Sequence, residues 1–142
     1  IVVSSNFFTY VLDINTGSII YKANFSSLVK PLMVNNYLFS VTKNNLLVSF
    51  NMDNGSILYS YNINQKIAEF LNINKKKVKF NNLFLANNKL FIFLKNSYVL
   101  EFNINGNIDN VIKLPSKINS HPLFIDKSLL FLNNKNKIII VN

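Results

Sequence analysis

The feature that most constrains the fold is a glycine-containing turn that occurs three times between apolar segments. It reads Asn-Thr-Gly within residues 7–25, Asp-Asn-Gly within residues 46–63, and Asn-Gly within residues 98–114. Glycine accepts a positive φ, and Asn or Asp tolerates the left-handed region while bonding to its own backbone. Each of the three segments is therefore predicted to be a β-hairpin.

A second pattern of strand, short turn and strand occupies residues 30–41, 82–94 and 121–132. Joined to the glycine hairpins, it gives units of four strands with a period of about 40 to 50 residues, which is typical of a propeller blade. The apolar residues alternate only weakly, as expected for strands covered on both faces. We therefore predict an all-β chain, a partial β-propeller of four-stranded antiparallel blades, with about three and a half of an expected seven or eight blades.

We expect residues 1–142 to form a single propeller fragment. Its blades cover residues 1–28 (partial, with the last two strands complete), 29–64, 78–116 and 117–142 (partial, with three strands). Residues 65–77 are interpreted as an insertion between blades. A short helix is expected over residues 65–71, because Ile67, Phe70 and Leu71 share one face at helical spacing. Apolar blade faces left uncovered should make the fragment poorly soluble or self-associated.

Composition limits the function classes. No apolar run is long enough to span a bilayer as a helix. The net charge is +9 and every basic residue is Lys. The richness in Lys and Asn is interpreted as AT-rich codon usage, and the charge as an aid to solubility, because readers of nucleic acid usually depend on Arg. A nucleic-acid binder is therefore the weakest of the hypotheses, and salt-dependent DNA binding would test it.

One dense basic patch consists of Lys75, Lys76, Lys77 and Lys79. The simpler interpretation is a solvated loop. The functional interpretation is a contact with anionic lipid headgroups or with an acidic partner. Charge reversal in this patch distinguishes the two.

The other polar residues favour structural roles. His121, the single His, is interpreted as a structural or surface residue, and Glu101 is the acid to examine for burial. Asp13 and Asp53 are expected to cap turn N–H groups. We predict no catalytic, metal-binding or cofactor-binding residue. The predicted turn and packing residues are Asp13, Gly17, Tyr21, Asp53, Gly55, Tyr59 and Gly106.

Residues 12–22 and 50–60 resemble the repeat A-L-D-x-x-T-G-x-x-x-W of the pyrroloquinoline-quinone-type propeller family. The matching positions of the first copy are Leu12, Asp13, Thr16 and Gly17. Tyr21 and Tyr59 stand where the family has Trp, and the third copy keeps Gly106. The two tyrosines are expected to pack against a neighbouring blade rather than to stack on a ligand.

Within that family the chain resembles the outer-membrane β-barrel assembly lipoproteins, the B subunit of that machinery, whose last blade also has three strands. The resemblance implies a non-enzymatic scaffold without a cofactor at the periplasmic face of the outer membrane, with a lipid anchor upstream. The implied partner is the set of periplasmic domains of the barrel-folding protein, and no partner-contact residue is transferred to this chain. The alternative is a fragment of a quinone-dependent or other propeller enzyme whose active residues lie in missing blades.

Overall fold

The computed structural model describes residues 1–126 and 128–141. These residues form fourteen strands and one helix. The strands form four sheets in which every pair of neighbours is antiparallel and consecutive in sequence. This is the all-β architecture predicted from the repeat. The chain divides into two compact units, Ile1–Lys76 and Lys77–Asn142, which are described in turn.

The first unit contains two sheets. The strands of the first sheet are β1 (Val2–Ser4), β2 (Thr9–Leu12) and β3 (Ile19–Ala23). The strands of the second sheet are β4 (Leu32–Val34), β5 (Tyr37–Val41), β6 (Leu46–Asn51) and β7 (Ile57–Asn62). The first sheet thus has three strands, one more than the two complete strands predicted for residues 1–28. The additional strand, β1, pairs in register with β2 from Val2↔Val11 to Ser4↔Thr9.

The two sheets of the first unit share an apolar core. Its buried members are Val11, Ala23, Phe25, Leu38, Val48 and Phe50. A buried hydroxyl, Thr9 Oγ1, donates to the carbonyl of Phe25 at 2.9 Å and so ties β2 to the segment that follows β3. That segment then meets the second sheet, where the Ser27 and Ser40 hydroxyls lie 2.6 Å apart. The first unit is therefore held by apolar packing and by satisfied buried hydroxyl groups.

Helix α1 (Ile63–Leu71) follows β7 directly and begins two residues before the predicted segment 65–71. The side chain of Asn62 caps it by accepting a hydrogen bond from the backbone N–H of Gln65 at 3.1 Å. Asn72 ends the helix in the left-handed conformation, with φ 51°. Within the described part of the chain, no helix has the length and apolar character needed to cross a membrane.

The second unit also contains two sheets. The strands of its first sheet are β8 (Phe80–Ala86), β9 (Lys89–Leu94), β10 (Tyr98–Asn103) and β11 (Ile108–Lys113). The strands of its last sheet are β12 (Leu123–Ile125), β13 (Ser128–Leu132) and β14 (Ile138–Val141). The core between them is centred on Phe93, Val99, Leu114 and Phe131. Phe124 reaches across from β12, with its ring centroid 5.1 Å from that of Phe91.

In each glycine hairpin the pairing of the two strands shifts register near the end of the first strand. The shifts fall between Val11 and Leu12, between Ser49 and Phe50, and between Glu101 and Phe102. A bulge raises the local twist and re-aims the strand as it enters the turn. The hairpin repeat therefore includes a backbone feature as well as a sequence motif.

Candidate functional site

The residues considered for chemistry do not come together. Within residues 1–126 and 128–141, no group of three or more His, Cys, Asp or Glu side chains could hold a metal ion. His121 is exposed, and its ring lies 6.3 Å from that of Phe84, centroid to centroid. The hydroxyl of the neighbouring Ser120 donates to the backbone carbonyl of His121 at 3.1 Å rather than to its ring.

The first glycine turn, residues 13–18, is organised by the carboxylate of Asp13. Its Oδ1 accepts from the N–H of Asn15 at 2.9 Å, from the N–H of Thr16 at 2.8 Å and from the Thr16 hydroxyl at 3.0 Å. The hydrogen bonds from Thr16, followed by that from Asn15, hold the pKa of Asp13 below its ordinary value of 3.8. Asp13 therefore has the turn-capping role predicted for it.

The second glycine turn, residues 51–56, corrects the role predicted for Asp53. The position equivalent to Asp13 is Asn51, whose Oδ1 accepts from the N–H of Asp53 at 2.8 Å. The carboxylate of Asp53 instead accepts from the side-chain amide of Asn36 at 2.7 Å, in the neighbouring β4–β5 turn. The prediction was wrong because it matched acid to acid, although an amide oxygen caps the turn equally well.

The third glycine turn, residues 103–107, uses the same device. The Oδ1 of Asn103 accepts from the N–H of Asn105 at 3.1 Å and from the N–H of Asn107 at 3.2 Å. Gly106 has φ 82° and its N–H donates to the carbonyl of Asn103 at 3.0 Å. The three turns therefore share one construction: a side-chain oxygen at the entrance, and a glycine in the left-handed region near the exit.

Tyr21 joins the two sheets of the first unit. Its hydroxyl donates to the backbone carbonyl of Asp53 at 2.5 Å, and its ring packs edge-on against Phe50 with centroids 6.2 Å apart. A Cβ placed on Gly55 would lie only 2.5 Å from Cδ1 of Tyr21. The aromatic residue of one hairpin thus lies on the glycine turn of the next sheet. We refer to this contact between Tyr21 and the turn at Gly55 as the tyrosine–glycine lock.

Tyr59 stands at the equivalent position of the next hairpin. Its ring stacks on that of Tyr61, with centroids 5.1 Å apart and planes 12° from parallel. Burial raises the pKa of Tyr59 well above its ordinary value of 10.0, and a hydrogen bond with Ser49 opposes that rise. Tyr59 is therefore neutral at physiological pH, as suits a packing residue.

The sequence indicated only one member of a charge cluster in the second unit. Glu101 on β10 is largely buried and forms an ion pair with Lys89 on β9. Lys89 Nζ also lies 3.5 Å from Asp109 Oδ2 on β11, and the hydrogen bond to Glu101 raises the pKa of Lys89. Glu101 was singled out as an acid in an apolar strand, but nothing in sequence spacing indicated Lys89 as its partner. The cluster links three adjacent strands, which accounts for it structurally.

The outer face of the last sheet is apolar and exposed. Its exposed members are Leu123, Ile125, Leu132, Ile138 and Ile140, and the half-buried Leu130 lies among them. Ile138 and Ile140 on β14 are 70% and 61% exposed, while Ile139 and Val141 point into the core. A shallow depression of about 340 Å³ lies on this face, bordered by Ser120 and His121. Contiguous apolar surface of this kind marks an interaction site or a liability to associate.

A half-open pocket of about 230 Å³ lies beside the core of the second unit. It is lined mainly by aromatic and aliphatic side chains, among them Phe91, Phe93 and Phe124, with Asn87 and Asp126 beside them. The lining offers no pair of groups suited to acid–base or nucleophilic work.

The lysines of the predicted basic patch are all exposed. Lys75 and Lys76 close the first unit, after helix α1, and Lys77 and Lys79 open the second. None of the ion pairs formed by described residues includes any of the four. The basic segment therefore lies on the surface, as both of its interpretations require, and follows a helix whose last turn carries the exposed side chains of Phe70 and Leu71.

Comparison with known proteins places the fold. Neither a protein-family model nor a curated protein matches the sequence. Among solved structures, the chain is similar to BamB from Moraxella catarrhalis, with 14% identity and a TM-score of 0.68 over 98% of this chain and 41% of BamB. It is also similar to the computationally designed Ika4 protein, with 13% identity and a TM-score of 0.66 over 99% of this chain and 82% of Ika4. Hsv2 from Kluyveromyces lactis matches with 16% identity and a TM-score of 0.59, over 99% of this chain and 41% of Hsv2.

These similarities show the fold. BamB and Ika4 are propellers, and the four antiparallel sheets of this chain make it a partial all-β propeller, as the hairpin repeat predicts. The chain spans about two fifths of the length of BamB. At such low identity the likeness carries no activity from one protein to the other.

Proposed function

We propose that this chain is part of a non-enzymatic scaffold of the bacterial cell envelope that assists the assembly and insertion of outer-membrane β-barrel proteins. The observation that carries the proposal is the exposed apolar face of the last sheet, which lies within a propeller-type fold. The similarity of fold to BamB supports it, as does the resemblance of residues 12–22 to the repeat of the pyrroloquinoline-quinone-type propeller family, which includes the assembly lipoproteins. On this proposal the protein acts at the periplasmic face of the outer membrane.

Docking would use main-chain and side-chain contacts together. Strand β14 pairs with β13 along one side and lies at the edge of its sheet in the described chain. A partner strand added there would gain backbone hydrogen bonds, while Ile138 and Ile140 would lose contact with water. The expected partners are the periplasmic domains of the barrel-folding outer-membrane protein.

Binding of those purified periplasmic domains to this protein, measured by calorimetry, tests the proposal. Replacing Ile138 and Ile140 with Asp should weaken the interaction at least about tenfold, because two apolar contacts are lost and two charges are introduced on the docking strand. The matched control replaces Phe7 and Ile14 with Asp, since both are exposed apolar residues far from β14 in sequence. Absence of binding by the unmodified protein, or equal weakening in the control, would contradict the proposal.

A further inference from the structure

The apolar face of helix α1 changes from buried to exposed along its length. Ile63 and Ile67 on the first two turns are buried. Phe70 and Leu71 continue the same face on the last turn, where they are 46% and 43% exposed. The end of the helix therefore presents to water a surface that its beginning buries.

The chain beyond the helix extends this surface. Asn72 turns the backbone out of the helix in the left-handed conformation, and Ile73 after it is 48% exposed. Lys75 and Lys76 follow, both exposed. Phe70, Leu71, Ile73, Lys75 and Lys76 all belong to the first unit, and we call them the helix tip.

The charge around the helix tip is strongly positive. Residues 63–79 contain five Lys and one Glu, and the carboxylate of that Glu, Glu69, accepts a hydrogen bond from Gln65 Nε2 at 2.9 Å. None of the ion pairs among described residues neutralises Lys75 or Lys76. Single exposed apolar residues are ordinary on protein surfaces, but an aromatic and two aliphatic residues beside a run of lysines form a more specific pattern.

We propose that the helix tip binds the surface of a lipid bilayer that carries anionic headgroups. Lysines suit a diffuse negative surface because each is a compact charge on a flexible stem, without the fixed fork by which Arg selects single carboxylates. The three apolar side chains enter the boundary between headgroups and acyl chains, where an amphipathic helix end gains by leaving water. This contact is independent of the scaffold proposal, since its test contains lipid and this protein alone.

Vesicle co-sedimentation tests the inference directly. The protein should bind vesicles of phosphatidylcholine containing about one third phosphatidylglycerol, and should bind much less to phosphatidylcholine alone. Binding should fall as salt rises, because the attraction is screened beyond about 10 Å at 0.1 M. Equal binding to both vesicles, or none to either, would overturn the proposal.

Charge variants separate a local site from net charge. Replacing the helix-tip residues Lys75 and Lys76, together with the adjacent Lys77, with Gln should lower the vesicle partition coefficient roughly a hundredfold, at about fivefold for each lysine. The matched control replaces the exposed residues Lys95, Lys113 and Lys117 with Gln, which removes the same charge elsewhere. If the two triple variants bind equally, the helix tip is not the site and the proposal fails.

Insertion can be read from fluorescence, because the sequence contains no Trp. Phe70→Trp places a single reporter on the helix tip, and Phe7→Trp places one on another exposed position as the control. With anionic vesicles the Phe70→Trp emission should shift to shorter wavelength and be quenched by brominated acyl chains, while the control should remain unchanged. Vesicle binding without that shift would show a purely electrostatic contact and would overturn insertion of the apolar side chains.

Discussion

Asparagine carries most of the left-handed backbone in this protein. Of the eight described non-glycine residues with positive φ, six are Asn, namely Asn35, Asn45, Asn72, Asn87, Asn88 and Asn136. Its short polar side chain can bond to nearby backbone, so it enters this region at lower cost than most residues. The chain has only three glycines, all with positive φ as well. Whatever codon bias supplies the asparagines, the fold uses them where glycine would otherwise be needed.

This role can be tested at Asn136, an exposed residue with φ 57° in the β13–β14 turn. We expect Asn136→Val to lower the free energy of unfolding by about 1–2 kcal/mol, because a β-branched residue is poorly tolerated there, and Asn136→Gly to be neutral or stabilising. Chemical denaturation measures both. Asn134→Val, at an exposed position in the same turn without positive φ, is the control and should have little effect. Equal losses at the two positions would contradict the explanation.

Replacing a glycine in these turns has two costs, the strain of the left-handed backbone and, at Gly55, the clash with Tyr21. Comparing Gly17 with Gly55 separates them. Gly17 and Gly55 have nearly the same φ, 69° and 73°, but only the second has a ring against it. Gly17→Ala should therefore cost about 1–2 kcal/mol for the left-handed conformation alone. Gly55→Ala should cost more, since Tyr21 must move and its hydrogen bond to Asp53 is weakened.

A double-mutant cycle identifies the extra term. In a Tyr21→Ala background, Gly55→Ala should cost no more than Gly17→Ala, which gives a coupling of about 1 kcal/mol or more between positions 21 and 55. Denaturant titrations of the unmodified protein, the two single variants and the double variant measure this coupling. Additive effects would show that the ring yields freely and that the lock does not stabilise the contact between the two sheets.

At the scale of elements, the turns are the part of the fold that could be predicted from the sequence. The three hairpins were predictable because glycine and the Asn or Asp at each turn act over a few residues. The pairing of strand β1 with β2 was not predicted, because it depends on the register of the sheet rather than on a turn signal. Lys89 was missed as the partner of Glu101 for the same reason, since twelve residues separate them and only the sheet brings them together. Turns formed by a few consecutive residues can be predicted from a sequence, whereas partners on neighbouring strands depend on the register of the sheet.

The first glycine turn gives a pH prediction. Because the pKa of Asp13 lies below its ordinary value in the folded protein, the ionised carboxylate favours folding at pH values above about 3.8, and this contribution is lost as pH falls through the folded pKa. Asp13→Asn should remove that dependence while keeping the turn, since Asn51 caps the second turn with an amide.

The measurement is the difference in unfolding free energy between the unmodified protein and Asp13→Asn as a function of pH. It should be constant near neutrality and change only in acid, in the direction that makes the unmodified protein relatively less stable. Asp126→Asn is the control for losing one carboxylate elsewhere, because Asp126 lies in a different turn. A difference that is flat down to the acid limit would contradict the role assigned to Asp13.

At the scale of the whole molecule, two opposing forces act on association. Exposed apolar side chains on β3, β7 and the last sheet favour contact between copies, and they include Ile19, Ile57 and Ile138. The net charge of +9 opposes that contact. Charge repulsion is screened over about 8 Å at physiological ionic strength, whereas burial of apolar surface is not weakened by salt. The apolar term should therefore prevail as salt increases.

We accordingly expect this chain to self-associate, and to do so more strongly at high salt than at low salt. Sedimentation velocity across a salt series measures this. Replacing Ile138 and Ile140 with Lys should shift the population toward monomer, because it removes apolar surface from the last sheet and adds like charge there. The same substitutions at Phe7 and Ile14 add equal charge at exposed positions in the first unit and should shift it less. A monomer at every salt concentration would show that the outer face of the last sheet does not drive association. The salt response also separates this behaviour from lipid binding by the helix tip, which should weaken under the conditions that strengthen association.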